Sequence, residues 1–173
     1  MKLMNRVFGP MLVVAAVLMT AVPQLSFATA MSDYLENRLI DAFLRGQSYT
    51  MPTTVYVALA TTTGSDTSCG TEVTGGSYAR VSVTSSLANW AGTQSSGSTV
   101  ASTGTNGTTS NNNAITFPAP TGNWGTVSEV CVFDASTSGN MLFRTALTVS
   151  KTVNNGDAAP SFAAAALTFQ IDN

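Results

Sequence analysis

The chain contains no histidine and few charged residues of either sign. Only 9% of its 173 residues are charged, with seven Lys and Arg against nine Asp and Glu. Without histidine there is no Ser–His–Asp or Cys–His catalysis, and the commonest transition-metal ligand is missing. Contacts to nucleic acids and to anionic membranes need clustered Lys and Arg, which the sequence lacks. We therefore expect no enzymatic activity, cofactor, metal, small-molecule substrate or nucleic-acid partner.

The first thirty residues have the order of a secretory signal. Lys2 and Arg6 precede the apolar run Met11–Val22, and the small residues Ala28 and Ala30 suit a signal peptidase. The apolar run is shorter than the ~20 residues of a membrane-spanning helix. Residues 1–30 are therefore predicted to be a signal peptide, cleaved between Ala30 and Met31. The alternatives are a retained N-terminal anchor, which would be the chain's one link to a membrane, or a start codon assigned too far upstream, with Met31 as the true first residue.

Residues 31–173 are predicted to form a single domain. Cleavage would remove two of the seven basic residues and leave five against nine acidic ones. Ser, Thr, Asn, Gly and Ala dominate this part of the chain. A polar but weakly charged surface repels its own copies weakly, which suits a protein that packs in an assembly.

The two cysteines, Cys69 and Cys131, lack the paired spacing of a zinc site. An even number of cysteines behind an export signal favours a disulfide. Two buried free thiols, packing as small hydrophobic side chains, are the alternative.

Residues 33–45 are predicted to form one helix. Asp33 is a candidate N-cap, and Glu36 three residues later completes the pattern of a capping box. Gly46 is typical of the position just after a helix end. An apolar stripe at helical spacing is expected to face the core: Leu35, Leu39, Ala42 and Phe43.

After the predicted helix, the spacing of the apolar residues changes from the helical period to the pattern of short β-strands. The strand segments are "TTVYVALAT", "YARVSVTSSL", "AITFPAP", "TVSEVCVFD", "NMLFRTALTV" and "SFAAAALTFQI". "ASTSG" fits a hairpin turn between the fourth and fifth segments, and "KTVNNGDAAP" is predicted to be a loop. Residues 92–113 are predicted to form a long Ser/Thr/Gly/Asn loop. The fold class is therefore mainly β: an antiparallel β-sandwich or jelly-roll-like domain preceded by one α-helix.

Four large or charged residues need separate comment. Trp90 and Trp124 are interpreted as packing residues, and the alternative is an exposed ring that stacks on a sugar. Glu72 and Glu129 could flank a glycosidic bond as paired carboxylates do. Solvent exposure or a neutralising contact with Arg80 or Arg144 is the favoured interpretation.

Several blocks within residues 31–173 resemble, in order, a family of tailed-phage and prophage proteins usually labelled phage tail fibre or virion structural protein. The blocks are "MSDYLENRLIDAFLRGQSYTMPTTVYVALATTT", "GTEVTGGSYARVSVT", "LANWAGTQ", "NNAITFPAPTGNWGTV", "VFDASTSGNMLF" and "NNGDAAPSFAAAALTFQID". The resemblance implies a non-enzymatic, β-rich virion component that decorates a capsid or contributes to a tail or fibre. It implies a start at the position of Met31, with no export signal and no cysteines at positions 69 and 131.

These interpretations predict a phage-type structural protein that assembles with itself or with other virion subunits. A signal peptide and a cysteine pair together make sense in an oxidising compartment, so export to a cell-surface or extracellular assembly is predicted if the signal is real, and a virion location otherwise. The alternative is an exported glycan- or receptor-binding module that uses the long loop as its contact surface.

Overall fold

The computed structural model describes residues 30–171. Residues 1–29 lie outside this range, and with them most of the predicted signal peptide, including Ala28. In the described part of the chain, no helix is both long enough and apolar enough to cross a bilayer.

Helix α1 spans Asp33–Leu44, and Ser32, not Asp33, is its N-cap. The backbone of Ser32 is extended, and its Oγ accepts a hydrogen bond from the Leu35 amide at 3.2 Å. The same hydroxyl donates to the Met141 carbonyl. The predicted capping box is therefore wrong, because the cap lies one residue earlier and position N3 is a leucine. At the other end Gly46 has φ +67°, the left-handed conformation expected after a helix.

The predicted apolar stripe of α1 is only partly covered. Leu35 is buried, and Leu39 packs against the main core. Phe43, however, is 76% exposed, so its predicted place in the core is wrong. The helix contacts β1 and β7, and Phe43 and Leu44 at its C-terminal end are exposed.

Within residues 30–171, nine β-strands accompany the helix: β1 (Ala30–Met31), β2 (Thr54–Ala60), β3 (Val81–Thr84), β4 (Thr108–Ser110), β5 (Ile115–Thr116), β6 (Gly125–Phe133), β7 (Met141–Val153), β8 (Ser161–Phe162) and β9 (Thr168–Gln170). Five of them form the main sheet, in the order β1-β7-β6-β2-β3. β4 pairs with β9 and β5 with β8 in two small sheets, and every pairing is antiparallel. The predicted mainly-β class, with one helix ahead of all strands but β1, is confirmed.

The main sheet buries different side chains on its two faces. One face packs against the small sheets, as the Phe143 ring of β7 shows at 5.6 Å from the Phe169 ring of β9. The main core lies on this face and includes Val57, Leu59, Val130, Val132 and Leu167. The opposite face carries a smaller core of Ala58, Cys131, Phe133 and Met141.

Two predicted boundaries near the C-terminus are wrong. β7 continues through Val153, where a loop was expected from Lys151 onward, because Val153 pairs with Gly125 of β6. The final predicted strand is split into β8 and β9 by a turn in which Ala165 has φ +65°. Within that last segment, Leu167 and Phe169 are buried whereas Ile171 is exposed.

A buried asparagine holds this C-terminal turn in place. Asn111 is 1% exposed; its Nδ2 donates to the Ala163 carbonyl, and its Oδ1 accepts from the Leu167 amide, both at 2.8 Å. Its backbone carbonyl accepts from the Ala165 amide at 2.7 Å. Asn111 therefore supplies the hydrogen bonds that a continuous strand would have made.

Candidate functional site

The two cysteines and the two glutamates singled out from the sequence lie in or beside the loop that joins β2 to β3. Cys69 in this loop forms a disulfide with Cys131 near the C-terminal end of β6. Cys131 is fully buried and Cys69 is half-buried. The bond ties a surface loop to the middle strand of the main sheet.

Glu129 lies beside the disulfide and is fully buried. A β-bulge after Val127 shifts the register of β6 against β7, so Glu129 shares the face of Cys131 while Val127 and Val130 both lie in the main core. The Glu129 Oε2 accepts hydrogen bonds from the backbone amides of Gly64 at 2.8 Å and Gly70 at 3.0 Å. The carboxylate therefore holds both ends of the small loop that contains Cys69.

Arg144 neutralises this buried carboxylate. Its Nη1 donates to Glu129 Oε1 at 3.3 Å, and its Nη2 donates to Asp66 Oδ1 at 2.9 Å. Burial by itself would lower the pKa of Arg144, but hydrogen bonds to Asp66 and Glu129 raise the pKa above its ordinary value. Asp66 belongs to the same loop, so the ion pairs add a third connection between loop and sheet.

Glu72 belongs to a separate cluster. Arg80 donates two hydrogen bonds to the Glu72 carboxylate, from Nε to Oε1 at 2.8 Å and from Nη2 to Oε2 at 2.7 Å. The Arg80 guanidinium also stacks on the Phe133 ring, with its central carbon 3.6 Å from the ring centroid. Its Nη1 donates to the carbonyls of Ala135 and Ser138, which fixes the hairpin between β6 and β7.

Tyr78 completes the second cluster. Its hydroxyl donates to Glu72 Oε1 at 3.0 Å and accepts from the Leu59 amide at 2.8 Å. Burial raises the pKa of Tyr78, and the nearby Glu72 carboxylate raises it further. The two predicted carboxylates are thus each held by a different arginine, and nothing in their contacts presents them to a shared substrate.

Potential metal ligands come together at one place within residues 30–171. Ligand atoms of Cys69, Glu129 and Cys131 lie within 4.8 Å of one another. A metal is bound by thiolates, and here the two sulfur atoms are bonded to each other. In the oxidised protein this group is therefore a structural cluster.

Both tryptophans pack against other aromatic residues. Trp124 is buried, its Nε1 donates to the Gly76 carbonyl at 2.9 Å, and its ring meets the edge of Tyr78. Trp90 is half-buried, with its ring 6.1 Å from that of Phe169. Neither ring stands free on the surface as a sugar-stacking platform would require.

The first part of the predicted long loop, residues 92–107, has its own hydrogen bonds. The side chain of Gln94 donates to Ser98 and to the Ala101 carbonyl and accepts from the Thr103 amide. The Gly104 amide donates to Thr93 Oγ1. The later part contains β4 and the buried Asn111, so residues 92–113 combine a hydrogen-bonded surface excursion with a segment of the core.

A surface cavity of about 510 Å³ opens between β7 and the segment that leads into β8. Its lining is mostly apolar and includes Leu59, Phe117, Val127, Leu147, Val153 and Phe162. Lys151 and Asp157 supply its charged groups. The cavity offers few hydrogen-bonding partners for the hydroxyl groups of a glycan.

Sequence reasoning missed several of these residues. The burial of Glu129 and the hydrogen bonds it accepts from Gly64 and Gly70 leave no local pattern, because these contacts span 65 and 59 residues. The run of three asparagines that includes Asn111 reads as a loop, although only its first member is fully buried. The N-cap Ser32 is the one missed residue that the sequence itself could have indicated, because serine is as good an N-cap as aspartate.

Comparison with known proteins gives one family. The chain matches the protein family described as Podophage GP4 fiber I protein gp80 over residues 30–170. No curated protein matches the chain. The matched range covers the helix and every strand described above.

Proposed function

This chain belongs to the Podophage GP4 fiber I protein gp80 family, and from that premise we propose that it is a non-enzymatic structural subunit that assembles with copies of itself in a virion or a virion-derived particle. The observation that carries the proposal is the extent of the match, which runs from β1 to β9 and leaves no additional domain among the described residues to supply another activity.

The contacts of the charged residues support a structural role. Glu72, Glu129, Arg80 and Arg144 are engaged in tying loops to the sheet. Carboxylates and guanidinium groups held in such contacts are poorly placed to bind a substrate or to transfer protons to it. They are well placed to give a subunit a fixed surface that neighbours can pack against.

The disulfide supports a second part of the proposal, which is export. A bond between Cys69 and Cys131 is stable in an oxidising compartment and is reduced in most cytosols. Together with the predicted signal in residues 1–30, it favours a subunit that works at the cell surface or outside the cell. Ala30 and Met31 form β1 and pair with Arg144 and Phe143, so cleavage between them would remove Ala30 from this strand.

The subunit role is tested in particles from the native source. Extracellular particles are separated on a density gradient, and the chain is measured by mass spectrometry in each fraction. We expect the chain to travel with the particles at a fixed ratio to other particle proteins. Recovery of the chain only from the free protein fractions would overturn the subunit role.

Export has a separate readout. The same mass spectrum gives the N-terminus and, without reduction, the state of the two cysteines. Export predicts a chain that begins at Met31 and contains no alkylatable thiol. A chain that retains residues 1–30, or one that carries two free thiols, would contradict export and leave the subunit role standing.

The alternative of an exported binding module has its own signature. A module that recognises a glycan or receptor through residues 92–107 would be monomeric and would bind a purified polysaccharide. Deletion of the loop tip would then abolish binding without changing the oligomeric state.

A further inference from the structure

The sequence contains two Asn-Gly pairs, Asn106-Gly107 and Asn155-Gly156. Asparagine is chemically labile, and a following glycine favours its loss of ammonia because no Cβ obstructs the glycine nitrogen. Both asparagines are exposed, and both glycines have a left-handed backbone, with φ +57° at Gly107 and +79° at Gly156. The two sites are therefore alike in residue type, exposure and backbone region, and their hydrogen bonds distinguish them.

The reaction is an intramolecular acyl transfer. The glycine nitrogen loses its proton to solvent and attacks the asparagine Cγ, so that a C–N bond forms and negative charge collects on Oδ1. The bond from Cγ to Nδ2 then breaks, and Nδ2 leaves as ammonia after taking a proton from solvent. Water opens the resulting cyclic imide at either carbonyl carbon, which gives aspartate or isoaspartate. The reaction consumes water and needs no oxidant, reductant or cofactor.

At Asn155-Gly156 the attacking nitrogen is engaged. The Gly156 amide donates a hydrogen bond to the Pro120 carbonyl at 2.9 Å. The Asn155 amide donates to Asn123 Oδ1, also at 2.9 Å. Both acceptors belong to the segment between β5 and β6, which holds this turn from outside. Attack by the Gly156 nitrogen would break its hydrogen bond and rearrange the turn.

At Asn106-Gly107 the contacts favour the attack. Within residues 30–171, the Gly107 amide has no hydrogen-bond acceptor. The Asn106 side chain folds over the Gly107 peptide, because its Oδ1 accepts from the Thr108 amide at 3.1 Å in an Asx turn. This amide lies at the oxygen on which charge collects, so it stabilises the charged intermediate as an oxyanion-hole donor does.

We propose that Asn106 is a site of spontaneous deamidation in the folded protein, whereas the turn protects Asn155. The product places an additional carboxylate at the end of the surface excursion 92–107, on a chain in which charged residues are few. Loss of ammonia is irreversible, so the modified fraction of a population increases with the time since its synthesis. The inference does not depend on the proposed function.

The modification reaches the start of β4. The Gly107 carbonyl accepts from the Ile171 amide at 3.1 Å, next to the pairing of Thr108 with Gln170 in the small sheet of β4 and β9. Isoaspartate adds a carbon to the backbone immediately before Gly107 and rearranges the Asx turn. This end of the small sheet is therefore expected to open when isoaspartate forms.

Peptide mapping of the aged protein tests the site. The purified full chain is kept in mildly alkaline buffer, and mass spectrometry follows the modified fraction at each asparagine. We expect Asn106 to convert at least ~5-fold faster than Asn155, since one retained hydrogen bond supports protection of this size. In the chain unfolded by urea and reductant, the two rates should be similar.

Three results of this experiment overturn the proposal. The first is equal rates at the two sites in the folded protein. The second is faster conversion at Asn155. The third is an Asn106 that converts in the unfolded chain and stays intact in the folded one.

Two variants connect the rates to the contacts. Asn123→Ala removes the acceptor of the Asn155 amide, so it should raise the Asn155 rate at least ~2-fold and leave the Asn106 rate unchanged. Asn106→Gln is the control for assignment, because attack on its longer side chain requires a larger ring, and the signal at position 106 should disappear. An unchanged Asn155 rate in Asn123→Ala overturns the protection assigned to the turn.

Hydrogen exchange tests the structural consequence. The Ile171 amide should exchange faster in the isoaspartate form than in the unmodified protein, because its acceptor moves. The Leu167 amide, which donates to Asn111, is the internal control and should not change. Equal exchange at Ile171 in both forms overturns the opening of the small sheet, and the peptide map separately decides the modification site.

Discussion

Arg144 Nη1 lies 3.3 Å from Glu129 Oε1, and this contact joins a guanidinium on β7 to a fully buried carboxylate on the neighbouring strand β6. Removing one member of a buried pair is costly because the other member keeps its charge. Glu129→Gln should therefore lower the free energy of unfolding by about 3 kcal/mol, measured by urea denaturation. The control is Glu36→Gln on the exposed face of α1, which should change the free energy by less than about 0.5 kcal/mol. Equal effects for the two variants would contradict the structural role of Glu129.

The disulfide should stabilise the fold by restricting the unfolded chain. Cys69 and Cys131 are 62 positions apart, for which loop-closure entropy gives up to about 4 kcal/mol. The double variant Cys69→Ala/Cys131→Ala should lose most of this free energy in urea denaturation. A dithiol reductant should shift wild type by a similar amount and leave the double variant unchanged. If the reductant leaves the urea unfolding midpoint of the wild type unchanged, the prediction is wrong.

Tyr78 should make the protein sensitive to alkali. Burial raises the pKa of the folded tyrosine above the value of 10.0 for a free side chain. A raised folded pKa means that the stabilisation is fully present below pH 10 and is lost as the pH rises from 10 toward the folded pKa. The free energy of unfolding should fall as the pH rises from 10 to 11.5.

The variant that isolates this effect is Tyr78→Phe. It removes the hydrogen bonds to Glu72 and from Leu59, so it should be about 1–2 kcal/mol less stable at pH 8. The same variant should lose less additional stability than wild type on going to pH 11.5. Parallel pH profiles for the two proteins would show that another group is responsible.

Asn111 should be the most sensitive uncharged residue of the C-terminal turn. Asn111→Ala leaves the buried Leu167 amide and the partly buried Ala163 carbonyl without their partners. The expected loss is about 2–4 kcal/mol in the free energy of unfolding. Asn37→Ala on exposed α1 serves as the control and should be neutral. Hydrogen exchange at the Leu167 amide should accelerate in Asn111→Ala, and unchanged exchange there would contradict the assignment.

The sequence predicts the elements that depend on local pattern. The helix, the strand β2, and the hairpin between β6 and β7 were placed within a few residues because apolar periodicity and turn residues are local signals. The N-cap was misplaced by one residue because serine and aspartate are comparable caps. The choice between them depends on Met141, which accepts from Ser32 and lies 109 positions away.

Long-range contacts account for the other differences. The alanine run before Leu167 reads as continuous strand, but Asn111 draws it into a turn across 52 residues. The pattern of α1 shows which residues are apolar and does not show whether a neighbour covers Phe43. Glu129 reads as a surface residue of a strand, and its burial follows from a register shift in β6 that no local signal marks.

The disulfide also limits how far the protein can be stretched. A pulling force applied at the two ends of the described chain passes directly from Cys69 to Cys131, so the 62-position segment between them cannot lengthen. Fully extended, that segment would contribute roughly 200 Å. A subunit that is anchored at one end and pulled at the other would therefore lengthen only in the segments outside the disulfide. Reduction of the bond would allow the segment between the two cysteines to extend as well.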